Sequence, residues 1–229
     1  MKISGLQKVS LIDYPGKICA VVFTQGCNFR CPYCHNPELV DPERFRACMA
    51  EEGIFSFLER RRKKLDGVTI TGGEPTLQPD LENFCKHVRN LGYPVKLDTN
   101  GSHPGILMNL LDKKLIDYIA MDIKGPLNLY DSITNTKANT ADIRKSIALV
   151  MESDLPYEFR TTLVASLLSE EDIIRISPLI KGARRFVLQR FQLSKCLDPH
   201  LMGNKNFDEN DLEKIKGHFS QIVDQVLLR

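Results

Sequence analysis

The sequence predicts an α/β fold built on a parallel sheet, and three observations carry that expectation. Six short β-rich runs alternate with helical patterns through 229 residues, the order that right-handed βαβ crossovers produce. Several of those runs are continuously apolar, as in strands covered on both faces. Polar and glycine-rich motifs follow the runs, where ligands sit in parallel α/β folds. An open doubly wound sheet and a barrel both meet these conditions. A closed eight-unit barrel typically needs about 250 residues, so six units in this length suit a partial (β/α)6 barrel, wrapped but not closed.

Residues 1–16 read as a lead-in segment. The first run, Ile18–Phe23, is followed by Thr24-Gln25-Gly26-Cys27 and a helical pattern over Arg46–Lys64. The second, Val68–Ile70, opens into Thr71-Gly72-Gly73-Glu74-Pro75 and then a helix over Pro79–Leu91. The third, Val95–Leu97, ends in Asp98-Thr99-Asn100-Gly101 before a helix at Pro104–Lys113. The fourth, Ile119–Ile123, carries Asp122 and Lys124 at its end, with a helix expected at Ala141–Glu152. The fifth, Phe159–Val164, contains Arg160 and precedes a helical pattern at Ser169–Lys181. The sixth, Phe186–Gln189, leads to Gln192. A last helix is expected from about Asp208 to Leu228, with Asn206 or Asp208 as its N-cap. The chain reads as one domain over 1–229, with six β/α units in 17–205 and a C-terminal helix in 206–229.

Composition narrows the classes. Apolar residues make up 42% and charged residues 26%, ordinary for a globular protein. The net charge of +2 is too small to argue for nucleic acid. No apolar run approaches the roughly 18–20 residues that span a bilayer. The segment Met1–Gly16 lacks a basic start followed by an apolar stretch, so no signal peptide is expected. A cytoplasmic location with no membrane partner follows by default.

Seven cysteines are present, and three crowd into eight residues as Cys27-Asn28-Phe29-Arg30-Cys31-Pro32-Tyr33-Cys34. Such crowding points to metal or catalysis rather than a disulfide framework. A [4Fe–4S] cube held wholly by protein uses four cysteines; three on one short loop leave one iron open for a substrate. Structural zinc wants four ligands, commonly as two separated pairs. Here the nearby fourth candidate is His35, adjacent to Cys34 and badly placed for the same tetrahedron, and no second C-x2-C follows. The remaining cysteines after Cys34 are scattered at 48, 85 and 196, so no second cluster is expected.

The C-x3-C-x2-C spacing with an aromatic before the third cysteine resembles the radical S-adenosylmethionine superfamily. Cys34-His35-Asn36 resembles its glycyl-radical activating enzymes. Gly5-Leu6-Gln7-Lys8 and Ile12-Asp13-Tyr14-Pro15-Gly16-Lys17 resemble a compact branch described as activating proteins for anaerobic ribonucleoside-triphosphate reductase. The resemblance covers nearly the whole chain. It implies a partial barrel of the radical S-adenosylmethionine type, with a [4Fe–4S] cluster on Cys27, Cys31 and Cys34 whose open iron takes the amino and carboxylate groups of S-adenosylmethionine. It further implies reductive cleavage to a 5′-deoxyadenosyl radical and a partner glycyl-radical enzyme, with a one-electron donor such as flavodoxin or ferredoxin. Tyr33 and His35 are placed beside the cofactor on the same grounds.

Other motifs fit around this core. The paired glycines Gly72 and Gly73 permit a close backbone approach; they match the family's S-adenosylmethionine motif, with Glu74 expected to add charge for the methionine ammonium. The bland reading is a plain tight turn. Asp98 and Asp122 suit hydrogen bonds from ribose hydroxyls, or would bracket a monovalent cation with Thr99; otherwise they are strand-end caps. Asp122-Ile123-Lys124 matches the activating-enzyme Asp-x-Lys element. Arg160, inside an apolar strand, needs a partner: a cofactor carboxylate, or an ion pair with Asp122 or Glu158. Gln192 stands where several activating enzymes place a histidine over adenosine, and Gln189 is an equal candidate.

Some features have blander readings. Cys19, Cys48 and Cys85 are expected in the core, and Cys196 is ambiguous between core and exposed thiol. The run Arg60–Lys64 suits a solvated helix C-terminus, with an acidic electron donor as the sharper alternative. His87, His103, His200 and His218 show no ligand spacing. Two rival functions remain: a radical enzyme acting on a small molecule, for example in deazapurine synthesis, and a non-catalytic Fe–S or zinc protein.

Overall fold

The computed structural model describes residues 1–192, 195–203 and 206–229. Eight strands form one sheet and lie along it in chain order. They are β1 (Ile3–Ser10), β2 (Cys19–Thr24), β3 (Gly67–Gly72), β4 (Val95–Thr99), β5 (Tyr118–Asp122), β6 (Tyr157–Leu163), β7 (Phe186–Arg190) and β8 (Val226–Leu228). β1 runs antiparallel to β2, and each later neighbouring pair is parallel. β1 and β8 stand at opposite ends of the order, so the barrel is partial. The sheet nevertheless wraps: Leu11 and Pro15, just after β1, share a cavity wall with Lys96, Arg160 and Arg229, the last immediately after β8.

Helices α1 (Pro37–Val40), α2 (Glu51–Arg60), α3 (Leu81–Asn90), α4 (Pro104–Asp112), α5 (Tyr130–Thr134), α6 (Thr140–Glu152), α7 (Glu170–Ile174), α8 (Ser177–Ile180) and α9 (Glu209–Phe219) fill the connections. None is long and apolar enough to cross a membrane among the described residues.

The pleat sorts the side chains. Successive strand residues point to opposite faces. Ala20, Val22, Val68, Ile70, Val95, Leu97, Ile119, Met121, Phe159, Phe186 and Leu188 belong to one core with the helices. The alternate positions face the lumen. At its base, Cys19, Val21 and Tyr118 pack with Tyr14 in a small separate cluster. Above it the lumen turns polar: Lys96 and Asp98 on β4, Asp122 on β5, Glu158, Arg160 and Thr162 on β6, and Gln189 on β7 border its cavities. The charges within apolar runs are therefore one face of the sheet rather than strand-end punctuation.

Several elements depart from the sequence expectation. The lead-in 1–16 contains β1, whose Ile3 also bridges Met49. That pairing keeps Met49 extended, so α2 starts at Glu51 and not at Arg46. Cys48 is exposed as a result and is not a core residue. Cys19 and Cys85 are buried as expected. Cys196 is buried too, its thiol donating to the Asp198 carbonyl at 2.9 Å. The pattern at Ser169–Lys181 splits into α7, begun by a Ser169–Asp172 capping box, and α8, with a proline in its first turn. Pro178 has no N–H to continue a helix. The last helix is capped by Asp208 but stops at Phe219, and Val226–Leu228 turns back to pair with β7. An apolar strand next to a helix in sequence looks like more helix until its partner edge is known.

Candidate active site

The loop after β2 is tied down on both sides. Gly26, at φ +97°, donates its N–H to Leu39 O at 2.7 Å and accepts from Glu74 N at 2.8 Å. Beyond it, Arg30 closes the loop on itself: its guanidinium donates to Cys27 O at 2.6 Å and to Phe29 O at 2.9 Å. Its own N–H reaches Thr134 O at 2.8 Å. Phe29 is buried edge-on against Tyr130, ring centroids 6.3 Å apart. So held, Cys27, Cys31 and Cys34 all border one pocket. Burial pushes each thiol up, Cys27 to about 12 with help from the Glu74 carboxyl. The Phe29 N–H donates to Cys27 Sγ at 3.4 Å.

The opposing loop needs both of its glycines. Gly72 has φ +121°, and a Cβ there would stand 2.3 Å from Thr24 N. A Cβ on Gly73 would stand 2.0 Å from Gly26 O. Their absence lets the two loops touch backbone to backbone, and Gly73 N–H donates to Thr24 O at 2.9 Å. Glu74, 1% exposed, is not a free charge. Its carboxylate accepts from Thr76 N at 3.1 Å, Thr76 Oγ1 at 2.5 Å, Thr99 Oγ1 at 2.7 Å and Asn100 N at 2.7 Å. It ties the glycine loop to the end of β4. Burial raises its carboxyl, and these hydrogen bonds resist the shift.

The far wall is a chain of ion pairs along the lumen. Lys96 contacts Asp98; Arg160 pairs with Asp98 at 3.0 Å and with Asp122 at 2.8 Å; Lys124 pairs with Asp122 at 3.0 Å. Burial opposes charge on both carboxylates, but Arg160 with Lys96 outweighs it at Asp98, and Arg160 with Lys124 at Asp122. Both stay below the usual carboxylate range. Burial likewise pulls Lys124 down, and Asp122 and Tyr33 more than restore it. Lys96, Arg160 and Lys124 thus alternate with Asp98 and Asp122, and the buried carboxyls of Glu74 and Glu158 border the same lumen. Arg160 bridges Asp98 and Asp122, the two carboxylates beside which a monovalent cation is expected. Of the two carboxylates expected as its ion-pair partner, Asp122 and Glu158, Arg160 takes Asp122, together with Asp98.

One pocket thus brings together the three cysteines with Tyr33, His35, Gly72, Gly73, Glu74, Asp98, Asp122, Lys124 and Arg160. Gln192 is the exception. It is exposed, and its backbone carbonyl lies 3.1 Å from His35 Nε2, while the His35 ring stacks on Phe191 at 5.3 Å. β7 ends at Arg190, so Gln192 is off the pleat; Gln189, still on it, borders the pocket. Asn100 was passed over in sequence although it stands in the quoted Asp-Thr-Asn-Gly. Its Nδ2 donates to Asn28 Oδ1 at 2.9 Å and lies 3.9 Å from Cys27 Sγ. Thr71 and Thr162, also unremarked, line the same space.

Among the described residues, no three His, Cys, Asp or Glu side chains converge as a single metal ion would need. A cluster that takes one cysteine on each of several irons makes no such demand. Three thiols on one loop, N–H groups aimed at Cys27 sulfur and an ion-paired polar wall opposite suit such a cluster with one iron left for a ligand.

Comparisons with known proteins agree in kind. The profile of the Radical SAM superfamily matches residues 21–177. A Methanocaldococcus jannaschii protein, assigned by name to the glycyl-radical enzyme activating enzymes, is 34% identical over 99% of this chain and 95% of its own length. The pyruvate formate-lyase-activating enzyme of Clostridium pasteurianum is 30% identical over 93% of this chain and 87% of its own. Among solved structures, Streptococcus suis SuiB bound to precursor peptide SuiA matches with TM-score 0.69 at 15% identity, covering 91% of this chain and 48% of that one. This chain therefore spans about half of SuiB. TYW1 with a lysine-pyruvate adduct matches with TM-score 0.63 at 16% identity, over 89% and 73% of the two chains. At these identities the structural matches speak for the fold.

Proposed function

The chain belongs to the radical SAM superfamily, and from that premise we propose that it is an activating enzyme that installs a glycyl radical on a partner. One observation carries the reading: three thiols of a short loop face a buried ion-pair network across one pocket. Cys27, Cys31 and Cys34 would hold a [4Fe–4S] cluster. When bound, that cluster and S-adenosylmethionine supply reductive sulfonium cleavage and a 5′-deoxyadenosyl radical.

The chain's own residues bind, orient and exclude water. Lys124 and Arg160 present cationic donors suited to a carboxylate. Asp98 and Asp122 keep those cations in place and offer oxygens to ribose hydroxyls. The glycine loop leaves backbone carbonyls within reach of an ammonium. Burial of Tyr33, Phe29 and Glu74 keeps the pocket's lining dry, which protects a reactive radical from solvent. With that chemistry supplied, the pocket would hold a glycine Cα of the partner where it could give up a hydrogen atom, leaving 5′-deoxyadenosine and a glycyl radical. No protein acid or base is consumed. An open barrel offers a polypeptide loop lateral access that a closed one would deny.

Our finer reading of the partner is anaerobic ribonucleoside-triphosphate reductase. A flavodoxin or ferredoxin supplies the electron. The test is electron paramagnetic resonance on reconstituted, reduced protein mixed with S-adenosylmethionine and candidate partners. A glycyl doublet on the reductase supports the full reading. A doublet on another glycyl-radical enzyme corrects the partner. Formation of 5′-deoxyadenosine with no doublet on any candidate moves the function to a small-molecule substrate, and no 5′-deoxyadenosine at all refutes the radical reading.

A further inference from the structure

The segment Ile12–Lys17 has no part in the cysteine pocket. It lies at the opposite end of the barrel, among the loops that enter the strands. There Tyr14, Lys17, Tyr118, Tyr157, Arg184 and Arg185 border a cleft of ≈ 580 Å³, with three prolines completing its wall. That volume is in the usual range of small-molecule sites.

Three cations converge on this cleft, and their partners are all neutral. Lys17 Nζ lies 5.7 Å from the Tyr14 ring. The Arg184 guanidinium lies 5.7 Å from the Tyr157 ring and donates to Leu155 O at 3.2 Å. Arg185 donates to Gln225 Oε1 at 2.8 Å and to the Tyr118 hydroxyl at 3.2 Å. The one carboxylate on the rim, Asp117, is already committed to Arg89 at 2.5 Å and Val95 N at 2.8 Å. A second observation is independent of charge. Tyr14 is 3% exposed, and among the described residues its hydroxyl has no hydrogen-bond partner. No sealed side-chain oxygen or nitrogen there lacks a partner, so this hydroxyl opens on the cleft.

We propose that the cleft binds a phosphorylated small molecule. Lys17, Arg184 and Arg185 hold its phosphoryl oxygens, and the Tyr14 hydroxyl completes the hydrogen bonding. Guanidinium forks match phosphoryl oxygens bidentately. A phosphoryl group carries about −1.5 to −2 charge, which answers three uncompensated cations better than a single carboxylate does. The site is separate from the cofactor pocket and does not depend on the reaction proposed above.

Isothermal titration calorimetry of the cluster-loaded protein against pyrophosphate and against ATP, each without added metal, tests it. Saturable binding of at least one probe is expected, undiminished by saturating S-adenosylmethionine. Pyrophosphate binding alone would show that the phosphoryl groups suffice, and tighter ATP binding would show that the cleft walls take the organic part. The K17A/R184A variant should bind about tenfold more weakly or worse, as expected for losing two charged contacts. Tyr14→Phe keeps the ring packed on Tyr118 and should weaken binding several-fold, with the far-UV circular dichroism unchanged. The proposal is overturned if neither probe binds, if both variants bind like wild type, or if S-adenosylmethionine abolishes the binding.

Discussion

Replacing Gly73 with alanine puts a methyl carbon 2.0 Å from the Gly26 carbonyl oxygen and 2.6 Å from its carbon. An ordinary contact there needs more than 3 Å, so the two loops must part by about 1 Å. That movement stretches Gly73 N–Thr24 O and Glu74 N–Gly26 O, now 2.9 and 2.8 Å. Two buried hydrogen bonds are worth about 1–3 kcal/mol together, and overpacking adds about 1–3 kcal/mol. A loss of about 2–6 kcal/mol is expected. The damage also has a direction, because Gly26 precedes Cys27 and carries it along. Iron and sulfide per chain after anaerobic reconstitution should fall more than the loss of folded protein accounts for. Urea unfolding measures the first quantity, and metal analysis of the folded fraction measures the second. Gly105→Ala is the control: a Cβ there meets nothing within 4 Å, and alanine in α4 should stabilise by about 0.4–1 kcal/mol. Wild-type stability and iron content in Gly73→Ala would refute the close-approach argument.

Three further outcomes are expected. Lys96→Met keeps the bulk of a side chain buried beside Asp98 but removes its charge; stability should drop by about 2–4 kcal/mol by urea titration, toward the low end of a broken buried pair because Arg160 still holds Asp98. Glu74→Gln keeps the shape of the tie but turns one acceptor oxygen into a donor facing Thr76 and Thr99 or Asn100 N–H, so a loss of about 1–3 kcal/mol is expected, read as a lower thermal midpoint. Asp98 and Asp122 are held below the usual carboxylate range, so the stability they contribute is complete above the unfolded value of about 3.9 and is lost as pH falls beneath it. Asp122→Asn should therefore flatten the acid limb of a stability–pH curve while lowering the plateau; an acid limb identical to wild type would place the titrating groups elsewhere.

The six parallel strands were legible because each is a short β-rich run, and burial on the helix side leaves a strong local signal. β1 was hidden: Ile3–Ser10 mixes polar and apolar residues, as an antiparallel edge strand does, and its identity lies in a register with β2 that no local pattern records. β8 was hidden because three apolar residues after a helix carry no period of their own. At the site, residue types and spacing gave the cysteines, the glycines and the charged strand residues. Their connections were not legible. Arg160 needed two carboxylates from β4 and β5, whose alignment depends on pairing. Glu74 read as a ligand for an ammonium because its partners Thr99 and Asn100 are 25 and 26 residues away. Gln192 and Gln189 differ by where β7 leaves the sheet, a boundary that sequence places only to within a few residues.

The strand order has a consequence for how the molecule is made. Each strand hydrogen-bonds to the strand that precedes it in the chain, so the sheet can grow in the order in which it leaves the ribosome. The glycine loop is tied once β4 has emerged, since Glu74 needs only Thr76, Thr99 and Asn100; the cysteine loop is fixed later, when Arg30 N–H meets Thr134 O and Phe29 packs on Tyr130. The charged wall waits for β6 and Arg160. Until then Asp98 and Lys96 have one another, and the nascent pocket has sulfur on one side and an unfinished floor on the other. Cluster delivery to a ribosome-bound chain would thus meet a formed thiol loop before a formed cofactor site, and stalled chains ending near residues 170 and 195 would separate the two stages.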